Sequence, residues 1–349
     1  MALRWALAEQ ETGGTLFADE RVAERHVGKG AYAGMEFLHV NARTVINTVP
    51  AESRMPFRHT INPYRGCSHA CVYCFARPTH DYLGLGIGTD FERKIVVKVN
   101  AVERLRAELR APSWDGDHIA MGTNTDPYQH AEGKYHLTRG IVETLSGARN
   151  PFSILTKSTL ILRDAAVLAA ASEHTDVGVS FSIGTLDRAV WKLTEPGTPP
   201  PDRRVEALRR LTAMGIPCGV LVAPVLPGLS DSEEQLTEVV EACAAAGAVS
   251  ISGVALHLRG TVRGHYFDWL ERERPDLVHL HRERFRRGGY QADEERQRVE
   301  GIVKVAARRC GVTGRNRYRG RQADGGDNLG GGGGGGGGED AGGQQLRLL

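Results

Sequence analysis

The chain has 349 residues, of which 41% are hydrophobic, and its 44 basic and 42 acidic residues give a net charge of +2. This balance gives no sign of a strongly basic nucleic-acid-binding protein, and no run of about 18 apolar residues predicts a membrane span. The length suits one large core, such as an α/β barrel of about 200 to 250 residues, with tails. We therefore predict a soluble, cytoplasmic protein without a membrane partner.

The N-terminal part of the chain carries few structural signals. Residues 1–33 mix Glu, Gly, Thr and Arg without sustained periodicity, so we predict an irregular leader there. Residues 36–46 are apolar enough to pack on the main domain. Residues 59–64 alternate between polar and apolar side chains, which predicts a first strand.

Three of the six cysteines, Cys67, Cys71 and Cys74, lie within eight residues directly after this strand. A Cys-x3-Cys-x2-Cys loop supplies three thiolates, one fewer than a closed four-iron cluster or a tetrahedral structural site needs. One metal corner therefore stays open for another ligand. Because the loop follows a strand, we expect it at the C-terminal face of a barrel, where active sites of such barrels gather.

Zinc is an alternative occupant of this loop, because His69 or His80 would complete a Cys3His set. Zinc sites usually pair a Cys-x2-Cys motif with a second, distant ligand pair, which the loop does not show. The other cysteines, Cys218, Cys243 and Cys310, are interpreted as plain thiols.

Strand and helix patterns alternate from residue 94 onward. Further strands are predicted at residues 94–99, 118–122, 152–156, 177–183, 217–223 and 249–256, with helices near 101–109, 138–146, 160–171, 202–214 and 232–246. This alternation predicts a parallel sheet with right-handed crossovers. Six such strands would make an open partial barrel, although periodicity alone does not distinguish it from a doubly wound sheet.

Polar residues stand where three successive predicted strands end. They are Thr123, Asn124 and Asp126 after the first, Lys157 at the end of the second, and Ser180 and Ser182 on the third. Asn, Asp and Pro127 are also turn formers, so a plain turn is the alternative for the first group. Three strands that present hydrogen-bonding groups at one mouth favour a ligand site.

The cysteine spacing, with the aromatic Tyr73 directly before the third cysteine, resembles the radical S-adenosylmethionine (SAM) superfamily. Four further blocks resemble the subgroup that contains spore photoproduct lyase and DNA repair photolyase-like proteins. These blocks are residues 122–129, 155–158, 179–183 and 223–228. The resemblance covers roughly residues 35–260.

This resemblance implies a partial (β/α)6 TIM-type barrel as the core domain over residues 34–260, with a 4Fe-4S cluster on Cys67, Cys71 and Cys74. It implies reductive cleavage of SAM to a 5'-deoxyadenosyl radical that abstracts hydrogen from an unidentified substrate. The partners it implies are a reducing electron donor such as flavodoxin or ferredoxin and, from the subgroup, nucleic acid. The residues it implies for SAM contact are Tyr73, Thr123, Asn124, Asp126, Lys157, Ser180 and Ser182.

Two features depart from spore photoproduct lyase. That lyase returns hydrogen to its product from a cysteine near the end of its second strand, whereas residues 121–130 contain no cysteine. It also carries tyrosines around its cluster, whereas Phe75 follows the last ligand here and cannot form a phenoxyl radical. Thymine-dimer reversal is therefore not transferable, and RNA, protein or a metabolite stays open as the substrate.

The C-terminal part is heavily charged. We predict a charged helical extension over residues 261–310 and a basic, then Gly-rich disordered tail over 311–349, since the unbroken glycines at 330–338 have no side chains to bury. Residues 308–321 hold six arginines and no acidic residue, which is typical either of phosphate contacts or of a solvated tail. The second hypothesis for the whole chain is a non-catalytic iron-sulfur or zinc protein that binds nucleic acid through this segment.

Overall fold

The computed structural model of the protein describes residues 22–50, 53 and 55–314. Its strands are β1 (Val22–Val27), β2 (Glu36–Val40), β3 (Ile46–Thr48), β4 (His59–Ile61), β5 (Tyr64–Arg65), β6 (Lys94–Lys98), β7 (Ile119–Met121), β8 (Phe152–Thr156), β9 (Val177–Ser182), β10 (Cys218–Val225) and β11 (Ser250–Ala255).

The α-helices of this part are α1 (Thr89–Arg93), α2 (Ala101–Leu109), α3 (Glu132–Tyr135), α4 (Leu137–Gly147), α5 (Ala165–Ser172), α6 (Arg188–Thr194), α7 (Pro201–Ala213), α8 (Glu233–Ala245), α9 (Val262–Glu273), α10 (Val278–Arg284) and α11 (Asp293–Arg309). Short 3-10 helices span Gly30–Tyr32, Arg77–Leu83, Thr159–Asp164 and Pro275–Leu277. None of these helices is long and apolar enough to cross a membrane.

The main sheet contains six parallel strands in the order β4, β7, β8, β9, β10 and β11, with the antiparallel strand β3 beside β4. Each parallel strand pairs with the next one along the chain, without the reversal of order that defines a doubly wound sheet. Within the described residues β3 and β11 do not pair, so the barrel is partial. The predicted partial (β/α)6 barrel is confirmed. The strand order excludes the doubly wound sheet, which periodicity alone had left as an alternative.

The barrel core explains why the strands read as continuous apolar runs. Both faces of the sheet are covered, so that Ile154, Phe181 and Val220 are fully buried, and the outer helices add Leu208 and Val240 to the same cluster. Parallel sheets covered on both faces select such sequences. This packing fixes the C-terminal ends of the strands, where the polar residues follow.

A second, four-stranded sheet has the strand order β1, β2, β6, β5. The prediction of an irregular leader is corrected for residues 22–27, which pair antiparallel with β2. Residues 36–40 likewise form a strand of this sheet and pair with β6. Pairing with a segment more than 50 residues away leaves no local signal. Residues 1–21 lie outside the described part.

The helices after residue 260 complete the core. Val299 and Val303 of α11 belong to the main hydrophobic cluster, and a Cβ added to Gly253 of β11 would lie 3.0 Å from Val303. Arg308 and Arg309, the first two arginines of the predicted basic segment, are exposed at the end of α11. The other four arginines and the Gly-rich tail lie outside the described residues.

Candidate functional site

The three-cysteine loop starts directly after β5, beyond the C-terminal end of β4. Cys67 and Cys71 are buried and Cys74 is half-buried. Gly66, at φ +79°, turns the chain into the loop, and a Cβ there would lie 2.8 Å from the carbonyl oxygen of Phe91. Only glycine suits this position, because both the positive φ and the close approach disfavour a side chain.

The fully buried guanidinium of Arg77 stabilises the cysteine loop through hydrogen bonds to its backbone. It donates hydrogen bonds to the carbonyl oxygens of Cys71 (2.9 and 3.1 Å) and Ala70 (3.3 Å). Glu92 neutralises its charge at 2.6 Å. The loop carbonyls therefore have fixed donors that do not involve the thiols.

Two other segments, around residues 125–129 and at Gly197, pack against the cysteine loop. Thr125 and Gln129 donate to the carbonyl oxygen of Gly66 at 2.7 and 2.8 Å, and the Gln129 side-chain oxygen accepts from the Ser68 N–H at 3.0 Å. On the opposite side Gly197 packs so closely that a Cβ would lie 2.1 Å from the Ser68 carbonyl oxygen. The loop conformation is thus determined by the surrounding chain.

The three loop thiols need a bound metal to act as thiolate ligands. Burial raises the pKa of all three thiols, that of Cys71 to about 12, so they need a bound cation to be thiolates.

Thr123 and Asn124, two of the predicted SAM contacts, are buried just after β7. Asn62 joins them to the end of β4, because its side-chain NH2 donates to the Thr123 hydroxyl at 3.1 Å and its oxygen accepts from the Asn124 N–H at 3.1 Å. The structure therefore places both residues in the wall between the first two barrel strands.

Asp126, predicted to face the cofactor, connects three segments with its carboxylate. It accepts from the Thr156 hydroxyl and the Lys157 N–H, each at 2.7 Å, and from the Tyr128 N–H at 2.9 Å. His69 of the cysteine loop lies 3.3 Å away. Burial favours the neutral acid, but His69 and these donors hold the pKa of Asp126 below its ordinary value. The carboxylate thus orients Lys157 and the loop.

Three of the predicted SAM contacts lie together at the C-terminal ends of the barrel strands. They are Lys157, Ser182 and Tyr73. The Lys157 ammonium donates to the Ser182 hydroxyl at 2.6 Å and lies 5.7 Å from the centre of the Tyr73 ring. Ser180, two residues before Ser182 and on the same face of β9, is buried deeper in the barrel. The structure brings the first three residues together beside Cys71 and Cys74.

Two charged residues that the sequence reasoning missed complete this group. The Tyr73 hydroxyl donates to Glu195, whose carboxylate is also paired with Arg204 and lies 3.9 Å from the Lys157 ammonium. Burial favours the neutral acid, but Arg204 and Lys157 hold the pKa of Glu195 below its ordinary value. The cations Lys157 and Arg204 and the anion Glu195 together carry a net charge of about +1, which attracts a carboxylate. The sequence signal was Glu195-Pro-Gly197, in which the glycine permits close packing on the loop.

Comparison with known proteins gives one family and one fold. The Radical SAM superfamily matches residues 61–240. An uncharacterized protein of Mycobacterium tuberculosis is 47% identical over 266 residues, which are 76% of this chain and 78% of that protein. Spore photoproduct lyase complexed with dinucleoside spore photoproduct has a similar fold, with a TM-score of 0.58 at 21% identity over 78% of this chain and 79% of that one. A mutant of that lyase with bound AdoMet and dinucleoside spore photoproduct gives a TM-score of 0.57 at 21% identity, with the same coverage.

Proposed function

Since this chain belongs to the radical SAM superfamily, we propose that it uses the 5'-deoxyadenosyl radical to abstract hydrogen from its substrate, and that this substrate is a nucleic acid, as the similar fold of spore photoproduct lyase with its bound dinucleoside suggests. Membership makes it an enzyme with a 4Fe-4S cluster and SAM as cofactors, and enzymes of this class need a reductant. The observation that carries the proposal is the loop of Cys67, Cys71 and Cys74 beside Tyr73 and Lys157 at the barrel mouth.

Cys67, Cys71 and Cys74 would hold the cluster, which when bound supplies the electron that splits the sulfonium of SAM. Lys157 would attract the methionine carboxylate, because Arg204 already neutralises Glu195 and leaves the ammonium charge in excess.

Tyr73 would pack its ring against the adenosine part of SAM, since its hydroxyl is fixed by Glu195. Ser182 would donate to the ribose or the carboxylate, in competition with its bond to the Ala223 carbonyl oxygen at 2.7 Å. Thr123, Asn124, Asp126 and Ser180 would shape the wall behind these contacts.

The cysteines of the chain support a reaction that differs from that of the lyase. All six lie in the described residues, and Cys218 and Cys243 are fully buried in the barrel core. Cys310 is exposed at the end of α11, so only the three loop cysteines lie at the mouth. A hydrogen atom returned to product would have to come from another group, so thymine-dimer reversal is not part of the proposal and RNA stays open beside DNA as the substrate.

The electron donor is proposed to be a reduced flavodoxin or ferredoxin, because a cluster of this class is reduced by one electron at low potential. Cytoplasmic location stays a prediction from composition.

The test is anaerobic reconstitution with iron and sulfide, reduction with dithionite, and chromatography for 5'-deoxyadenosine after addition of SAM. We expect about four irons per chain and slow release of 5'-deoxyadenosine. Replacing Cys67, Cys71 or Cys74 by alanine should abolish both, whereas Cys310→Ala, a matched cysteine replacement at a distant exposed site, should change neither. Four irons without any 5'-deoxyadenosine would favour the non-catalytic alternative.

A further inference from the structure

Three aromatic rings lie in a row beside the cysteine loop. Phe75 directly follows the last cysteine, and its ring centre lies 6.1 Å from that of His257. The His257 ring in turn stacks on Tyr290 at 5.8 Å and an angle of 22°. Phe75 and Tyr290 are 48% and 47% exposed, so the two ends of the row face solvent. We call Phe75, His257 and Tyr290 the aromatic row.

The backbone holds the row in place at the C-terminal end of the last barrel strand. His257 lies two residues beyond β11 and forms an antiparallel bridge with Tyr290. The Leu258 N–H donates to the Gly289 carbonyl oxygen at 2.7 Å, and a Cβ on Gly289 would lie 2.7 Å from the Leu258 oxygen. Glycine is required for this approach, so Tyr290 is positioned by a built contact and its exposure is a property of the fold.

Cations surround the outer end of the row. The guanidinium groups of Arg259 and Arg296 lie 5.7 and 5.9 Å from the centre of the Tyr290 ring. Arg296 is also paired with Asp293, whereas Arg259 has no ion-pair partner in the part of the chain that the structure describes. Burial and the neighbouring Arg259 lower the pKa of His257, so the middle ring is neutral near pH 7. The row thus offers aromatic surface with one unneutralised cation at its edge.

We propose that the aromatic row is a stacking surface for the bases of a single-stranded nucleic acid, with Arg259 beside a phosphate. Bases stack on exposed aromatic side chains regardless of sequence, and arginine supplies both phosphate contact and cation–π attraction. Bases inside a duplex are already stacked and cannot use such a surface. The inference rests on the proposed function, because Phe75 directly follows Cys74 and a strand bound to the aromatic row would therefore lie beside the cysteine loop.

The experiment measures equilibrium binding of fluorescein-labelled 12-nucleotide strands to the cluster-loaded protein by anisotropy, without reductant or SAM. Single-stranded DNA, single-stranded RNA and the matching DNA duplex are the probes. Phe75→Ala and Tyr290→Ala should each weaken single-strand binding about five- to a hundredfold, since one base loses its partner. Tyr290→Phe keeps the ring and should bind within about twofold of the unmodified protein.

Arg259→Ala should weaken binding and lower the slope of log affinity against log salt by about 0.7, the value for one phosphate contact on a single strand. Met214→Ala is the matched control, because Met214 is 46% exposed at the end of α7, which leads to the opposite end of the barrel. Iron content and melting temperature identify any variant that is misfolded.

Equal affinity of Tyr290→Ala and the unmodified protein for both single strands would overturn the inference, as would tighter binding of the duplex or no binding of any strand. None of these outcomes bears on whether the reduced protein releases 5'-deoxyadenosine from SAM. Failure of the stacking proposal is therefore distinguishable from failure of the proposed function. The DNA and RNA arms identify which sugar the surface accepts.

Discussion

Replacing Arg204 by methionine tests whether the buried charges at the barrel mouth act as a unit. Arg204 is 1% exposed, and its guanidinium pairs with Glu195 and donates to the carbonyl oxygens of Ser182 at 3.0 Å and Pro199 at 2.9 Å. Methionine keeps most of the side-chain length and removes the charge and the donors. The carboxylate of Glu195 is then left buried with the Tyr73 hydroxyl, the Thr198 hydroxyl at 3.4 Å and the Lys157 ammonium at 3.9 Å.

Removing one partner of a buried ion pair costs about 3–5 kcal/mol of the free energy of unfolding. Lys157, at 3.9 Å from Glu195, takes over part of the neutralisation, so we expect a loss near the lower limit, about 3 kcal/mol. At this chain length about 2 °C of melting temperature corresponds to each kcal/mol, which predicts a decrease of about 6 °C.

The loss of unfolding free energy in Arg204→Met should depend on pH. In the unmodified protein the folded pKa of Glu195 lies below the unfolded value, so its contribution is present above the unfolded pKa and is lost as the pH falls through the folded one. Without Arg204, burial raises the folded pKa, so the variant is penalised most at higher pH, where the carboxylate must be charged. The difference between the two proteins should therefore be larger near about pH 8 than near about pH 5.

The assay is thermal unfolding of the cluster-loaded proteins, followed by circular dichroism under anaerobic conditions at these two pH values. Arg209→Met is the matched control, because Arg209 lies on the same helix, is 52% exposed and pairs with the exposed Glu206. Its replacement should cost less than about 1 kcal/mol. The double variant Glu195→Gln, Arg204→Met should recover part of the loss. A melting temperature within about 1 °C of the unmodified protein, or an equal deficit at both pH values, would refute this reasoning.

Two further predictions concern the loop and its surroundings. Arg77→Met should lower the iron content after reconstitution, because the loop carbonyls lose their donors, whereas the exposed Arg93→Met should not. Gly197→Ala should destabilise the protein by about 1–3 kcal/mol and lower its iron content, because the added Cβ meets the Ser68 oxygen at 2.1 Å. Gly264→Ala, in helix α9 with nothing within 4 Å of the added Cβ, should instead stabilise by about 0.5–1 kcal/mol in urea unfolding. Iron retained in Arg77→Met, or equal effects of the two glycine replacements, would contradict these expectations.

The sequence predicted the barrel well because its strands carry a local signal. Residues 152–156 and 177–183 are apolar runs bounded by helical patterns, and the structure places β8 and β9 there. Residues 22–27 carry no such run, since β1 is an exposed-edge strand defined by its partner. An antiparallel edge strand can leave one face in solvent and needs no continuous apolar run, so composition alone did not reveal β1.

At the site, residue types were predictable but their roles were not. Lys157 and Ser182 stood out because they follow apolar strands, and the structure joins them. Glu195 and Arg204 looked like ordinary surface charges, because a charged residue is buried only when a distant partner neutralises it. Gln129 serves the loop through one amide, which no spacing rule identifies.

The anchoring of the cysteine loop has a consequence for how the protein survives oxygen. In small zinc domains the energy of metal binding also folds the ligand loop, so loss of metal unfolds the domain. Here Gly66, Arg77 and Gln129 fix the loop through backbone contacts that use no sulfur. We therefore expect a chain that has lost its irons to keep its three thiols in position, so that the same polypeptide can take up a new cluster without first being refolded.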